Sequence, residues 1–426
     1  MRHRLRIVAL AIALVACRSR DEPEQVLRFW AFGREGEVVS LLVRDFEREH
    51  PGVRVRVQQI PWSAAHEKLL TAHVGHASPD LAQMGNTWIP EMVTLDAIEP
   101  LDTWRAGSPE MDSSGHFPGI WATNVIDGTL YGVPWYVDTR VLFYRKDILA
   151  RAGYERMPGS WPEWLEAMRA IKRNAAAGQF AIFLPTNEWP PQAILGLQQG
   201  SPLLTPHGHG AFADVPFRRA FDFMLSLYRE GLAAPITNNE IANVYQEFGR
   251  GTFAMWITGP WNLGEIRRRL PPELQDAWAT AALPGPTGPA SGVSLAGGSS
   301  LVLFRSSKHK ELAWQLIEFL SRPEQQARFY HLTGDLPARR EAWADSSLAG
   351  DRYAAAFREQ LSRVVPTPMV PEWEQVTVKL MNHTEAAVQG AEGPAEALAA
   401  LDADVDRVLE RRRFLLARRL QPGDSL

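Results

Sequence analysis

The chain has 426 residues, of which 45% are hydrophobic and 22% are charged; these proportions are typical of a soluble globular protein and exclude a fibrous or wholly disordered chain. The length predicts two or three domains, each large enough for a hydrophobic core. The chain contains 45 basic and 49 acidic residues, and its formal net charge of -4 argues against general nucleic-acid binding, because that function needs a basic surface.

The N-terminus has the pattern of a secretory signal. Three arginines within the first six residues precede an apolar run, Ile7 to Ala16, which is too short to cross a hydrocarbon layer of about 30 Å. The run ends in Leu-Val-Ala-Cys at residues 14–17, which resembles a bacterial lipobox. Cys17 is also the single cysteine of the chain, so it has no disulfide partner. We expect a lipoprotein signal peptide over 1–16, a polar tether over 17–25, and a lipid anchor on Cys17 that holds the protein in the periplasm or at the cell surface.

Strands and helices then alternate along the chain. Residues 26–32 form an apolar run typical of a buried strand, and the apolar residues between 38 and 46 have helical spacing. Alternating valines over 53–57 predict a half-exposed strand. This strand–helix–strand order predicts a βαβ unit and an α/β fold with a parallel sheet. Apolar spacing predicts further helices in the segments 164–171, 217–228, 312–320 and 398–409.

Motifs of enzyme active sites are missing from the sequence. It contains no phosphate-binding loop, no dinucleotide-binding fingerprint and no nucleophile elbow. The histidines at 66, 73, 76, 207 and 209 lack the spacing or the acidic and thiol neighbours of a metal site, so we interpret them as surface residues. We therefore expect no catalytic residues, no metal and no cofactor.

Two segments are strongly basic. Residues 410–419 read Glu-Arg-Arg-Arg-Phe-Leu-Leu-Ala-Arg-Arg and are amphipathic, and residues 267–269 are three arginines. Contact with a membrane or with nucleic acid is one interpretation of such a run. The sequence favours the other one, a solvated helix face.

Tryptophan is unusually frequent, with 15 Trp against 8 Tyr, and several tryptophans stand beside carboxylate or amide residues. Each tryptophan taken alone is more often a core residue than a ligand contact. As a group they suit a pyranose, because aromatic rings stack on the C–H faces of the sugar while carboxylates accept hydrogen bonds from its hydroxyls. The combinations lie at 86–88, 135–138, 187–189, 259–261 and 371–373.

A series of further motifs extends over nearly the whole chain after the signal. The motifs lie at 46–55, 79–88, 130–147, 161–164, 259–262, 297–298, 307–311 and 313–324. In this order, and behind a lipobox, they resemble the extracellular solute-binding proteins of carbohydrate ABC importers, a group that includes maltose- and trehalose/maltose-binding proteins.

The resemblance implies a periplasmic-binding-protein type II fold, in which two α/β lobes are joined by a hinge with a ligand cleft between them. Lobe 1 would comprise 26–136 and 298–362, and lobe 2 would comprise 137–297 and 363–426. It also implies a monomeric binding protein, not an enzyme, that captures a small oligosaccharide. We expect an α-linked disaccharide such as maltose or trehalose, delivered to the membrane subunits of an ABC permease.

Carried over motif by motif, the resemblance predicts ligand-binding residues from both lobes. The expected polar contacts to sugar hydroxyls are Asp138, Glu188 and Glu35. The expected stacking rings are Trp261, Trp189 and Trp373. The remaining residues expected at the ligand are Asn86, Thr87, Trp88, Tyr136 and Gly297.

Three alternatives stay open at this point. The ligand could be a non-sugar solute such as glycerol phosphate or a polyamine, although a phosphate would need more cleft arginines or lysines than the sequence places there. The protein could be a secreted glycoside hydrolase that uses two of the carboxylates. A receptor-coupled sensor lipoprotein with the same fold is the third class.

Overall fold

The structure is a computed structural model that describes residues 25–108 and 111–419. The predicted signal peptide and Cys17 lie outside the described residues. Within the described part of the chain, no helix is both long enough and apolar enough to cross a bilayer.

Helices and strands alternate along the chain. The strands are β1 (Gln25–Phe32), β2 (Val53–Ile60), β3 (Leu81–Gly85), β4 (Val125–Ile126), β5 (Thr129–Leu130), β6 (Val133–Asp138), β7 (Val141–Arg145), β8 (Phe180–Phe183), β9 (Phe253–Thr258), β10 (Trp278–Ala281), β11 (Ser294–Leu303), β12 (Leu336–Pro337) and β13 (Val364–Pro366). The α-helices are α1 (Gly33–Glu49), α2 (Trp62–Val74), α3 (Ile89–Thr94), α4 (Asp102–Arg105), α5 (Pro118–Ala122), α6 (Lys146–Arg151), α7 (Trp161–Arg173), α8 (Trp189–Gln198), α9 (Val215–Arg229), α10 (Val244–Arg250), α11 (Trp261–Arg269), α12 (Lys310–Ser321), α13 (Pro323–Thr333), α14 (Ser346–Ala349), α15 (Ala355–Gln360), α16 (Trp373–Val388), α17 (Pro394–Val408) and α18 (Glu410–Arg419). Each of the predicted helices is present.

The first lobe is built on a mixed sheet with the strand order β12-β6-β11-β3-β1-β2, and β13 pairs with β11. Strand β1 is parallel to both β2 and β3, which confirms the predicted βαβ unit. Strand β11 is antiparallel to β3 and β6. Apolar side chains cover both faces: one cluster includes Phe29, Phe46 and Trp135, and another includes Phe32 and Trp88.

The second lobe is built on a smaller sheet with the strand order β10-β7-β9-β8. On one face, Trp161, Trp164 and Phe217 pack with the helices α7, α8, α9, α16 and α17. On the other face, the Trp278 ring stacks on Tyr353, with ring centroids 3.8 Å apart. Two α/β lobes confirm the predicted fold class.

The chain crosses between the lobes at three places. It passes from β6 to β7, returns between β10 and β11, and passes again between β13 and α16. At the first two crossings Gly297 pairs with Asp138. Gly298 beside it has a φ of +151°, and a Cβ there would lie 2.2 Å from the carbonyl oxygen of Tyr136, so this position of the hinge requires glycine.

One segment lies differently from the sequence-based division. Residues 298–362 are predicted to belong to lobe 1, yet Tyr353 and Phe357 at their end pack on the sheet of the second lobe. Tyr353 stacks on Trp278, and Phe357 meets Phe143 edge to face at 5.9 Å. Aromatic packing of this kind is not visible in a linear pattern, because the partners are more than 70 residues apart.

Candidate functional site

A cavity of about 620 Å³ lies between the two lobes, a size within the usual range of small-molecule sites. Its lining combines aromatic rings with charged side chains. From the first lobe and the hinge it is lined by Arg34, Glu35, Trp62, Gly85, Asn86, Thr87, Trp88, Tyr136, Asp138, Leu295, Ala296, Gly297, Gly298, Thr333 and Asp335. From the second lobe and the segments leading into it, the lining residues are Arg140, Trp189, Pro190, Tyr245, Trp261, Glu265, Arg269, Thr367 and Glu374.

Glu35 is held in place by a hydrogen-bond network in the first lobe. The residue is only 6% exposed, and its carboxyl Oε1 accepts from the Tyr136 hydroxyl at 2.6 Å and from the Trp62 indole N–H at 3.2 Å. Gln83 donates to the Tyr136 oxygen at 3.0 Å. Burial raises the pKa of Glu35, and the hydrogen bond from Tyr136 opposes the rise. This network fixes a carboxyl group at the wall of the cavity.

Two more carboxyl groups share the cavity with Glu35. Burial raises the pKa of Asp138, against the opposing charge of Arg140. Burial also raises the pKa of Asp335 well above its ordinary value, and the negative charge of Glu35 adds to the shift. Asp138 Oδ1 is buried and has no hydrogen-bond partner among the described residues. That oxygen lies 3.3 Å from Arg140 Nε, while the Asp138 side chain as a whole is partly exposed at the cavity. The cavity therefore offers carboxyl groups that accept hydrogen bonds and can also donate when protonated.

Arg140 connects three of the predicted site residues. Its Nη1 donates to Glu188 at 2.8 Å, its Nε lies 3.3 Å from Asp138 Oδ1, and its guanidinium lies over the Trp261 ring, 4.6 Å from the centroid. The Glu188 side chain does not line the cavity. Its carboxylate faces Arg140 and holds the arginine in position, and its predicted direct contact with the ligand stays a prediction.

Aromatic rings from both lobes face the cavity. Trp62 meets Phe32 and Trp88 edge to face, with ring centroids 5.1 and 5.6 Å apart. Trp189 from the second lobe is also in the lining, and the Trp373 ring packs edge-on against it at 5.5 Å. Trp373 itself is fully buried in the core of the second lobe. Its predicted role as a stacking ring is corrected, because no face of the ring reaches the cavity.

The arginines of the cavity are paired with carboxylates. Arg34 donates to Glu37 at 2.8 Å, and Arg269 donates to Glu265 at 2.6 Å. The Arg269 guanidinium also lies over the Tyr245 ring at 4.9 Å. Arg269 is exposed to solvent although it lines the cavity, and Arg267 and Arg268 are exposed as well, so the sequence interpretation of residues 267–269 as a solvated face is confirmed. Arg34 and Arg269 at the cavity therefore each have a carboxylate partner.

A 3-10 turn, Asn86–Trp88, brings the first lobe against the second. The Asn86 amide oxygen accepts from the Ser300 hydroxyl at 2.9 Å, and its nitrogen donates to Thr123. The Thr87 hydroxyl donates to Glu374 Oε1 of α16 at 2.6 Å. Asn86 thus fixes the turn, and Thr87 makes a direct hydrogen bond between the lobes.

The structure brings most of the predicted residues together. The cavity is lined by Glu35, Asn86, Thr87, Trp88, Tyr136, Asp138, Trp189, Trp261 and Gly297, whereas Glu188 and Trp373 lie behind it. Contact of the nine lining residues with a ligand stays a prediction. Sequence reasoning missed Trp62, Arg140, Asp335 and Glu374. Arg140 lies inside the motif at 130–147, which is the signal that could have identified it as a site residue. Trp62 has no carboxylate beside it in sequence and therefore does not fit the aromatic–carboxylate pattern.

Two α/β lobes with a cavity of rings and carboxyl groups at their hinge define a two-lobed solute-binding protein. The chain belongs to the bacterial extracellular solute-binding proteins, whose family model matches residues 33–327. This result confirms the family predicted from the motifs.

Individual relatives are similar over almost the whole chain. The structure of the sugar-binding protein MalE from the phytopathogen Xanthomonas citri is 47% identical, has a TM-score of 0.87, and matches over 94% of this chain and 100% of that one. A putative binding protein of Brucella abortus is 26% identical and covers 89% of this chain and 91% of the relative. The diacetylchitobiose binding protein DasA of Streptomyces coelicolor is 23% identical, with 96% and 98% covered.

Proposed function

We propose that the chain is the extracytoplasmic sugar-binding component of an ABC importer, and that it captures a small oligosaccharide and delivers it to the membrane permease. The proposed ligand is an α-linked disaccharide such as maltose or trehalose. The proposed location is the periplasm or the cell surface, with the protein held as a monomer by a lipid on Cys17.

The observation that carries this proposal is the mixed lining of the interlobe cavity. Trp62 from one lobe and Trp261 from the other offer flat apolar surfaces, while Glu35 and Asp138 contribute carboxyl groups to the same lining. A pyranose needs both kinds of contact, since it has apolar C–H faces and a belt of hydroxyls. The 47% identity to a protein named for sugar binding, over its full length, supports the same ligand class.

Binding is coupled to lobe closure in this proposal. A sugar on Trp261 touches the Glu35 side of the cavity only when the lobes approach, so the closed state has the larger set of contacts. A ligand with a higher affinity for that state shifts the population toward it. The three chain crossings, with Gly298 at one of them, are the place where the backbone rotates.

A thermal-shift panel of mono- and disaccharides tests the proposal. A ligand that binds only the folded state raises the melting temperature by mass action. We expect maltose or trehalose to give a clear rise, followed by calorimetric titration of the best ligand. Glycerol phosphate and a polyamine belong in the same panel; a rise with either of these, and with no sugar, contradicts the proposal.

A second assay separates binding from hydrolysis. Incubation of the protein with maltose or trehalose is expected to release no glucose above a protein-free control. Steady release that depends on Glu35 or Asp138 would assign the carboxyl groups to a glycosidase instead.

A further inference from the structure

The last helix, α18, has two faces with different surroundings. Successive residues turn by about 100° around a helix axis, so Leu409, Arg412, Arg413 and Leu416 share one side. Leu409 is fully buried, Arg412 Nε donates to Glu372 at 2.8 Å, and Arg413 donates to the Gly208 carbonyl at 3.2 Å. This side attaches the helix to the second lobe.

The opposite side carries Arg411, Phe414, Leu415 and Arg418, which fall within an arc of about 100°. Phe414 is 60% exposed and Leu415 is 50% exposed. They are neighbours in sequence, whereas the other exposed large apolar side chains of the described residues stand singly. A solvated face would carry polar residues at both positions. The interpretation of this segment as a solvated face therefore does not account for the outer side.

The outer face is also positively charged. Among the described residues, neither Arg411 nor Arg418 is within ion-pair distance of a carboxylate, and the Arg418 guanidinium lies over the Phe414 ring at 5.8 Å. Most other arginines near the surface have an acidic partner, such as Arg412 with Glu372. An unpaired cation at each end of an apolar pair is the pattern of a helix that lies in the interface of an anionic membrane.

We infer that the outer face of α18, defined by Arg411, Phe414, Leu415 and Arg418, binds the surface of an anionic phospholipid bilayer. The Phe414 ring and the Leu415 side chain enter the headgroup layer, and the guanidinium groups donate hydrogen bonds to lipid phosphates. Anionic headgroups supply the negative charge that no other part of the described chain places beside these two arginines.

A second copy of the chain is a poorer occupant of this face. In a symmetric dimer the same surface patch meets itself, so the arginines of one copy would face those of the other. Like charges brought together in this way oppose association. A membrane is also the surface within reach if Cys17 is lipidated. The eight residues 17–24 span at most about 29 Å, so a lipid on Cys17 would keep the folded part of the protein close to the bilayer.

A fluorescent probe on the helix tests the inference independently of sugar binding. In a full chain with Cys17→Ser, the substitution Ala417→Cys places the single thiol at an exposed position one turn after Phe414. An environment-sensitive dye on this thiol reports the surroundings of α18 even if the N-terminal segment also meets vesicles. We expect a blue shift and about a twofold fall in iodide quenching with vesicles of phosphatidylcholine containing roughly one-third phosphatidylglycerol, and no change with phosphatidylcholine alone.

Matched variants decide what causes the shift. Phe414→Ser/Leu415→Ser and, separately, Arg411→Glu/Arg418→Glu are expected to abolish it. The control Val215→Ser/Val378→Ser removes two exposed apolar side chains outside α18 and is expected to leave the blue shift unchanged. The inference is overturned if anionic vesicles cause no shift or if phosphatidylcholine alone causes an equal shift. It is also overturned if the shift appears without lipid and depends on protein concentration, because that result would assign the face to a second copy.

Discussion

The guanidinium of Arg140 lies over the ring of Trp261, 4.6 Å from its centroid, and thereby covers one face of a ring that the sequence predicts to stack on the sugar. Asp138 and Glu188 hold the arginine there. A sugar that stacks on the same face has to displace the guanidinium, and a sugar on the other face adds to the existing stack. In both cases the positions of Arg140, Asp138 and Glu188 determine which face of the Trp261 ring is open to a sugar.

The first prediction concerns Trp261. Replacement by alanine removes the apolar surface and the stacking, a loss of roughly 1–3 kcal/mol. We expect a ten- to hundredfold weaker sugar affinity in calorimetric titration, with the melting temperature of the unliganded protein almost unchanged. Trp261→Phe keeps an aromatic face and is expected to lose less. An alanine variant with wild-type affinity would place the sugar elsewhere.

The second prediction concerns Asp138. Its side chain lines the cavity and is partly exposed there, so the carboxyl group is available to a ligand hydroxyl. Asp138→Ala leaves that hydroxyl without an acceptor, which costs on the order of 1.5–3 kcal/mol of binding free energy. We expect about a ten- to hundredfold rise in Kd in the same titration. Asp112→Ala, at an exposed loop, serves as the control and should not change the affinity.

The third prediction tests whether Glu188 acts through Arg140. Glu188→Gln weakens a charge-assisted hydrogen bond to Arg140, so the guanidinium is held less firmly over Trp261. We expect roughly a three- to tenfold loss of sugar affinity, and no further loss when the same change is made in an Arg140→Ala background. Equal losses in both backgrounds would show that Glu188 touches the ligand directly. Glu166→Gln, which affects an exposed ion pair, is the control.

Much of the fold was predictable because it rests on local periodicity. The alternating valines of β2 and the apolar spacing of α1 fix a βαβ unit without any distant partner. The motif at 130–147 includes the last strand before the hinge, and its residues Tyr136 and Asp138 line the cavity. These features depend on residues close to one another in sequence.

The errors share a physical cause, which is packing between distant segments. Trp373 follows the same aromatic–carboxylate pattern as the cavity rings, but it is buried against Trp189, a residue 184 positions earlier. Glu188 has the composition of a ligand contact and also binds Arg140, 48 residues away. Asp335 carries no local signal at all, since its place at the cavity results from the turn that ends α13 and begins β12.

The fourth prediction concerns the lipid anchor, which lies outside the described residues. Because Cys17 ends a lipobox-like run, wild-type protein is expected to fractionate with membranes and to incorporate labelled lipid. Cys17→Ser should accumulate as an unprocessed or soluble form. A serine variant that is still lipid-labelled and membrane-bound would refute the anchor.

The last prediction uses the raised pKa of Asp335. This carboxyl is almost fully buried near Glu35, so the folded state binds its proton more tightly than the unfolded state does. Between the unfolded pKa and the higher folded pKa, the folded state therefore carries more protons, and the free energy of unfolding falls as the pH rises. Asp335→Asn removes this dependence. We expect the variant to melt at a higher temperature than wild type at pH 7, and the difference to shrink as the pH falls toward 4.

Asp351 provides a control with the opposite sign. Burial raises its pKa, but hydrogen bonds from Tyr330 and Arg267 outweigh the burial, and the net shift is downward. Its contribution to stability is present above the unfolded pKa and is lost as the pH falls through the folded value. Asp351→Asn is therefore expected to melt at a lower temperature than wild type at pH 7, with the gap closing in acid. The comparison is made with melting curves of wild type, Asp335→Asn and Asp351→Asn from pH 4 to pH 8. If Asp335→Asn is less stable than wild type at pH 7, contacts within this site stabilise the ionised Asp335 carboxylate by more than its burial costs.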